Sequence, residues 1–356
     1  MDLSLTDEQR LIAATMRDFV ERELYPHEDE VERLDGVPDE VARAIREKAI
    51  AAGLYAPNMP AELGGGGLDA VSLGLVEREL GRASYALQML VERPSNILQA
   101  CQGEQRERYL LPAIRGERHD CVAMTEPEAG SDVRSMTTAA QRDGDSYVIT
   151  GTKHFISHAD VADFIILFAA TGQEQTARGP RQLITSLLVD SPSPGLAIRR
   201  GPPCVSNRGY HQCELVFSGC RVPAANRLGE EGRGLELMSR WLGATRLQVA
   251  ATSVGRARRV LEAATQWAAS RRQFGQPIGR FQGRVPARGH GHRVGGGGNA
   301  NPARRGKAGR GNDDRRRRRD GEAVRVGNAR QDDRHGGAAL RRHGPDERAS
   351  GGALVA

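Results

Sequence analysis

No run of about eighteen apolar residues occurs in the chain, and no basic N-terminus leads into an apolar stretch, so neither a membrane span nor export is expected. The five cysteines, Cys101, Cys121, Cys204, Cys213 and Cys220, form no CxxC pair and no metal-ligand spacing. Buried free thiols in a reducing cytoplasm are therefore expected rather than disulfides or zinc. The 73 residues from Arg284 onward lack Phe, Tyr, Trp and Ile altogether, yet contain 16 Gly and 17 Arg, with runs at Gly295 to Gly298 and Arg315 to Arg319. Such a composition buries too little apolar area to offset chain entropy, which predicts disorder. The tail also lacks the interleaved aromatics that stack on bases, which disfavours a nucleic-acid-binding role.

Charge is distributed just as unevenly. The net charge is +6, but the tail has 17 Arg and 1 Lys against 6 Asp and 2 Glu, a surplus of +10 that leaves −4 for the first 283 residues. At 356 residues the chain is long enough for a sizeable core and for two or three domains.

The opening third reads as helical. Thr6-Asp7-Glu8-Gln9 is a capping box, and Ile12, Met16, Phe19 or Val20, and Leu24 follow at helical spacing until Pro26. Pro38 opens a second helix with Val41, Ile45 and Ala49 on one face and Gly53 as its stop, followed by a flexible Gly64 to Gly67 connection. Val71, Leu75 and Leu80 mark a third, on which Glu77 and Glu79 are expected on a solvated face. Leu87, Leu90, Ile97, Leu98 and Cys101 mark a fourth around Pro94, and Glu104 to Ile114 a last one.

At Cys121 the pattern changes. Strands are predicted at 147–150, 155–157, 164–168, 183–189 and 214–217, with Asp143-Gly144 as a turn and Gly172 to Gly179 as an exposed loop. A long helix follows from Gly234 to about Ser270, with Met238, Leu242, Thr245, Val249 and Thr252 on one face and Trp241 and Trp267 as expected core anchors.

The stretch around which the rest is organised is Ala123-Met124-Thr125-Glu126-Pro127-Glu128-Ala129-Gly130-Ser131-Asp132, answered by Gly151-Thr152-Lys153-His154-Phe155-Ile156-Ser157. The first run joins a hydroxyl at Thr125 to a Pro-bounded turn and a small Gly-Ser pair that admits close backbone approach. In the second, strand alternation places Phe155 and Ser157 on one face, where a ring would cover a planar heterocycle and a hydroxyl bind its edge. His154 is expected to be a strand histidine with a backbone partner rather than a proton carrier.

These two runs resemble the signature of the acyl-CoA dehydrogenase family, and the Pro60 to Gly65 loop follows that family's Pro-x-x-x-Gly-Gly pattern. A third match is Arg271-Arg272-Gln273-Phe274-Gly275-Gln276-Pro277-Ile278, running on to Gln282. The resemblance covers residues 1 to 283. It implies FAD bound against Met124, Thr125, Phe155 and Ser157, with Gly130 and Ser131 facing the acyl-CoA. It further implies that Arg246 lines the acyl-CoA site, although the acidic partner often found three residues earlier is Gly243 here and a solvated arginine is the alternative. Arg271, Phe274 and Gln282 would complete the cofactor site of a neighbouring copy, the guanidinium meeting the pyrophosphate, so a homo-oligomer, a dimer of dimers, is implied.

The implied fold is a multidomain α+β protein: an N-terminal all-α domain (1–120), a middle β-barrel domain (121–228), the start of a C-terminal helical bundle (229–283) that is incomplete here, and an Arg/Gly-rich tail (284–356). The implied reaction is α,β-dehydrogenation of an acyl-CoA thioester: a carboxylate takes the α proton, the β hydride goes to flavin N5, and electrons pass to an electron-transfer flavoprotein or similar acceptor.

The base is not found. One family position for it, directly before the substrate arginine, is Thr245, and the other falls in the region replaced by the tail, where Glu322 and Glu347 have no matching context. A shifted reading frame accounts for the tail: Gly289-His290-Gly291-His292-Arg293, read one base later, can spell Asp-Met-Ala-Thr-Glu, the helical kind of run that relatives have there. The expected product is a damaged dehydrogenase. The alternatives are a non-catalytic family remnant and a basic-tailed nucleic-acid-binding protein.

Overall fold

A computed structural model describes residues 4–281 except 92 and 178. Gln282 and the whole 284–356 segment lie outside the described residues.

The capping box forms as the sequence predicts. The Thr6 hydroxyl accepts from the Gln9 amide at 3.1 Å and the Gln9 side chain accepts from the Thr6 amide at 3.2 Å, opening α1 (Asp7–Phe19). A wide turn and a Pro26-bearing 3-10 turn carry the chain into a further helix, α2 (Glu28–Leu34), where only the stop at Pro26 had been expected. Pro fits this place because its missing amide would be unpaired in a first turn anyway. α3 (Asp39–Ala51) begins after Pro38 and is followed by Gly53 at φ +68°, α4 spans Ala70–Leu80, α5 only Tyr85–Gln88, and α6 Leu111–Ile114. Met16, Phe19, Leu24, Ile45, Val76, Leu80 and Leu87 share the core of this domain.

Glu77 and Glu79 correct the expectation of a solvated face, for both are buried. Glu79 is held by Arg17 at 3.0 Å and Arg78 at 2.7 Å. Burial works against its ionisation, but those two guanidiniums prevail and lower its pKa. Glu77 faces Arg93 at 3.3 Å, and there burial wins and raises the pKa. Buried carboxylates persist where cations match them, a pairing that periodicity of apolar residues does not reveal. Val71, by contrast, is exposed.

The middle domain is a curled eight-stranded sheet, ordered β6-β7-β3-β2-β4-β5-β8 with β1 added beside β4. Its strands are β1 (Asp120–Ala123), β2 (Ala139–Asp143), β3 (Ser146–Ser157), β4 (Phe164–Thr176), β5 (Gly179–Asp190), β6 (Leu196–Arg200), β7 (Gln212–Pro223) and β8 (Arg227–Leu228). β4 is buried on both faces: Phe164, Ile166 and Phe168 enter one core, Ile165, Leu167 and Ala169 the other. Two-sided burial explains its unbroken apolar run. The expected 172–179 loop is instead the far end of the β4–β5 hairpin, paired from Gly172↔Leu183 to Thr176↔Gly179. Backbone hydrogen bonding carries the ladder past the point where side chains stop being apolar.

α7 (Gly234–Ser270) follows, at about 1.5 Å per residue some 55 Å long. Its first half adds Met238, with Trp241 and Leu242 partly buried, to the core that contains Tyr109, Phe164 and Phe168. Its middle crosses α4 at touching distance. A Cβ on Gly255 would fall 1.9 Å from the Arg78 carbonyl, and one on Gly81 would fall 2.4 Å from the Thr252 carbonyl. Only glycine permits that approach. Beyond the crossing Glu28 holds Arg259 at 2.6 Å and Arg82 holds Glu262 at 2.7 Å. Trp267 is 61% exposed, so it anchors no core among the described residues, and Val249 is also exposed. A two-stranded hairpin, β9 (Arg272–Gln273) and β10 (Gln276–Pro277), closes the described portion. No described helix is long and apolar enough to cross a membrane.

Candidate functional site

The turn after β1 and the bulged part of β3 are fastened together by a buried clasp. The His154 amide donates to the Thr125 carbonyl at 2.8 Å, extending the strand's pairing to the turn. Beside it the fully buried Lys153 ammonium donates to the Met124 carbonyl at 3.0 Å and to Glu126 Oε1 at 2.8 Å. Glu126 accepts three further hydrogen bonds, from the Thr137 amide at 2.6 Å, the Thr137 hydroxyl at 2.9 Å and the Thr138 amide at 3.0 Å. Burial alone would raise the Glu126 pKa, but Lys153 and the two threonines hold it down to about 2. Burial also lowers the pKa of Lys153, with Glu126 opposing. Both oxygens of the carboxylate are used, which fixes the turn's conformation.

Lys153 and Glu126 were visible in both motifs, yet sequence reasoning missed their pairing. The available signal was a lysine in alternation with Tyr147 and Ile149 along the strand, which places it on their face and demands a buried counter-charge.

Regular strand alternation does not hold at Phe155. Lys153 pairs with Leu215 and Ile156 with Cys213, so His154 and Phe155 together stand opposite Glu214, a β-bulge. Lys153 and Ile156 are both buried although three residues apart, and the extra residue allows it. Phe155 takes φ +55°, a left-handed conformation rare for an aromatic residue, and its side chain is 59% exposed. The His154 ring stacks on it at 3.9 Å, inclined by 19°. After Ile156 alternation resumes, and Ser157 leaves the core face, its hydroxyl accepting from the Gln212 side chain at 3.1 Å. The exposed ring thus comes from the bulge rather than from a regular pleat.

The remaining sequence-derived positions divide into near and far. Met124 packs against the core that α7 enters through Met238 and Trp241. Gly130 and Ser131 are exposed, and a Cβ added to Gly130 would meet nothing within 4 Å. Arg246 lies on the exposed side of α7, while the Thr245 hydroxyl donates to the Trp241 carbonyl at 3.0 Å. Arg271 and Phe274 stand at the opposite end of that helix. Phe274 is 94% exposed on the β9–β10 hairpin, and the Arg271 guanidinium lies 5.9 Å from the centre of the Trp267 ring. They are not part of the clasped turn and strand. Gln282 is outside the described residues.

What the near group offers is an aromatic face turned to solvent, hydroxyls at Thr125 and Ser157, and open backbone at Gly130. A planar heterocycle with a polar edge fits that set.

Comparison with known proteins identifies the family. Three family models match in succession: the N-terminal domain of acyl-CoA dehydrogenase over residues 6–117, the middle domain over 121–220 and the C-terminal domain over 232–284. Cyclohex-1-ene-1-carbonyl-CoA dehydrogenase of Geobacter metallireducens is 38% identical over 281 residues, which span 77% of this chain and 71% of that one. The chain belongs to the acyl-CoA dehydrogenase family. Among solved structures, a glutaryl-CoA dehydrogenase from Mycobacterium smegmatis in complex with FADH2 is 27% identical, covering 82% of this chain and 74% of that chain with a TM-score of 0.72. A chain from the electron transferring flavoprotein structure of Acidaminococcus fermentans is 29% identical, covering 83% of this chain and 77% of that chain, TM-score 0.74. The acyl-CoA dehydrogenase family defines an oxidoreductase of acyl-CoA thioesters with FAD as its cofactor.

Proposed function

We propose that this acyl-CoA dehydrogenase is built for α,β-dehydrogenation of an acyl-CoA thioester at Met124, Thr125, Phe155 and Ser157, and that its activity is impaired. The observation that carries the reading is the Glu126–Lys153 clasp, which holds the Thr125 turn beside the bulge that presents Phe155. When bound, FAD supplies the acceptor for the hydride from the acyl β carbon. Phe155 would cover one face of that ring system, the Thr125 and Ser157 hydroxyls would bind its edge, and Met124 would line the side toward α7. Gly130 and Ser131 let the thioester's carrier pass close to the backbone, and Arg246 offers a guanidinium to it.

Arg271, Phe274 and Gln282 serve the cofactor of a neighbouring copy in a dimer of dimers. The exposure of Phe274 on its hairpin supports a role outside its own subunit. The domain division at 120, 228 and 283 goes with this reading, as do a cytoplasmic setting and an electron-transfer flavoprotein as acceptor.

Impairment follows from what surrounds α7. Thr245 has no proton-accepting carboxylate, its hydroxyl is engaged with Trp241, and the 73-residue tail has no Phe, Tyr, Trp or Ile with which to cover Val260 and Trp267. The lack of a carboxylate at Thr245 leaves a second reading, a non-catalytic remnant that only assembles with relatives, as the alternative.

The test compares the full chain with a version whose reading frame is restored after codon 283. The restored protein is expected to be yellow, bleached by an acyl-CoA and turning over, while this chain binds less flavin and turns over far more slowly. A colourless restored protein overturns the dehydrogenase reading. Equal turnover by both overturns impairment, and flavin without turnover in both selects the remnant.

A further inference from the structure

The strand pair that carries Ser157 is tied to the N-terminal domain through one histidine. His211 stands directly before β7, and the ladder runs on through it, because the His158 amide donates to its carbonyl at 3.0 Å. Its ring lies between two acceptors. Nδ1 is 2.8 Å from Oδ2 of Asp160, in the turn between β3 and β4, and Nε2 is 3.2 Å from the backbone carbonyl of Asp35, just past α2. The Asp160 side chain is 8% exposed; burial works against its ionisation, but His211 and Arg200 prevail and lower its pKa. A carboxylate and a peptide carbonyl can only accept. A neutral imidazole has one N–H and would turn a lone pair toward one of these oxygens, whereas an imidazolium donates to both.

Every element packed around this ring brings a group that bears on it. Arg200 of β6 donates to Asp160 Oδ2 at 2.8 Å, and the Cys213 thiol of β7, which burial pushes up to about 11, donates to Oδ1 at 3.7 Å. The Asp35 carboxylate is taken by the Gly209 amide at 2.8 Å and by Arg208 at 3.5 Å. Tyr210, buried in the N-terminal core, meets Tyr85 of α5 edge-on at 4.4 Å, and the His158 ring lies 4.2 Å from it. The next residue after His211 reaches the candidate site: Gln212 pairs with Ser157 across the ladder, and its side chain donates to the Ser157 hydroxyl at 3.1 Å. We propose that His211 is a positioning residue, an imidazolium that fastens the start of β7 between Asp160 and Asp35 and through Gln212 sets the Ser157 hydroxyl for the flavin edge, so that FAD affinity falls as rising pH removes its proton. The inference rests on the reading that puts the flavin edge at Ser157. The sign follows from the two acceptors: the tie is complete while the ring is protonated and weakens once it is neutral, and Asp160, lowered from 3.8, stays ionised above that value.

FAD titrations of the full chain, followed by flavin fluorescence at about pH 5.5 and about pH 8.5, on either side of the range in which imidazoles titrate, would compare wild type, His211→Gln, Gln212→Ala and Ser157→Ala, with Tm measured at each pH. His154 and His158 are common to all four proteins, so their titration is a shared background. The wild type is expected to bind FAD about five-fold more weakly at the higher pH, a step that His211→Gln and Gln212→Ala both lose. Gln212→Ala should nevertheless keep the wild-type change of Tm with pH, since the His211 tie itself is intact there; a merely structural histidine would not separate the two readouts. No step in the wild type, or an equal step in either variant, overturns the proposal. If His211→Gln fails to fold, the wild-type step set against that of Gln212→Ala decides. Ser157→Ala separates the two failures. If it weakens FAD binding at both pH values while the wild type shows no step, the histidine tie is wrong and the flavin placement stands, whereas Ser157→Ala binding FAD as the wild type does removes that placement and the proposal with it.

Discussion

The turn at 124–132 with β3 and the distal half of α7 are opposite cases of how side chains find partners. In the first, a lysine and a glutamate with no access to water are matched by each other, two backbone amides, a carbonyl and a hydroxyl. In the second, Val260 at 67% and Trp267 at 61% exposure have no apolar cover among the described residues. One region has its charges satisfied inside, and the other leaves its apolar groups outside. The contrast marks where the described residues supply their own environment and where, from Val260 onward on α7, they stop doing so.

The largest effect expected from disturbing this contrast is at the clasp. Lys153→Met leaves Glu126 as an uncompensated buried charge and should cost about 3–5 kcal/mol in urea unfolding. The double change Glu126→Gln/Lys153→Met should recover part of that loss, and a loss equal to the single variant would show that the pair is not coupled. Next comes the α4–α7 crossing, where Gly255→Ala forces a methyl into the Arg78 carbonyl and should cost about 3 kcal/mol, read as a lowered Tm. An unchanged Tm would mean the two helices separate at no cost.

The acid limb of stability gives a smaller signal with a definite sign. Folded Glu126 titrates near 2 against 4.5 ordinarily, so its contribution is complete above about pH 4.5 and is lost as pH falls toward 2. Replacing Lys153 removes the main group that lowers the pKa, so the acid limb of that variant should move to higher pH. Smallest is Trp267→Ser, expected to change stability by less than about 0.5 kcal/mol while reducing self-association in sedimentation. A large loss of stability there would show that the distal half of α7 is covered after all.

Much of this was legible in the residues. The Thr6–Gln9 capping box, the helix start at Pro38 and stop at Gly53, and the apolar run of β4 follow from local rules, and the two site motifs could be placed together because their spacing is short. What escaped depends on partners distant in sequence. Glu79 is buried because Arg17 lies across the helix pair, the Gly81 and Gly255 contacts need two helices 174 positions apart to cross, and the β4–β5 hairpin extends through polar residues on backbone pairing and the cross-strand Glu174–Arg181 ion pair. The φ of Phe155 was hidden for the same reason, since a bulge is defined by the opposite strand.

The most direct test of the account is an FAD titration of the full chain followed by flavin fluorescence, comparing wild type, Phe155→Ala and Trp267→Ser. Phe155→Ala should weaken FAD binding at least ten-fold, while Trp267→Ser binds as the wild type does. FAD affinity indifferent to Phe155, or lost only with Trp267, would contradict the placement of the cofactor at the bulge.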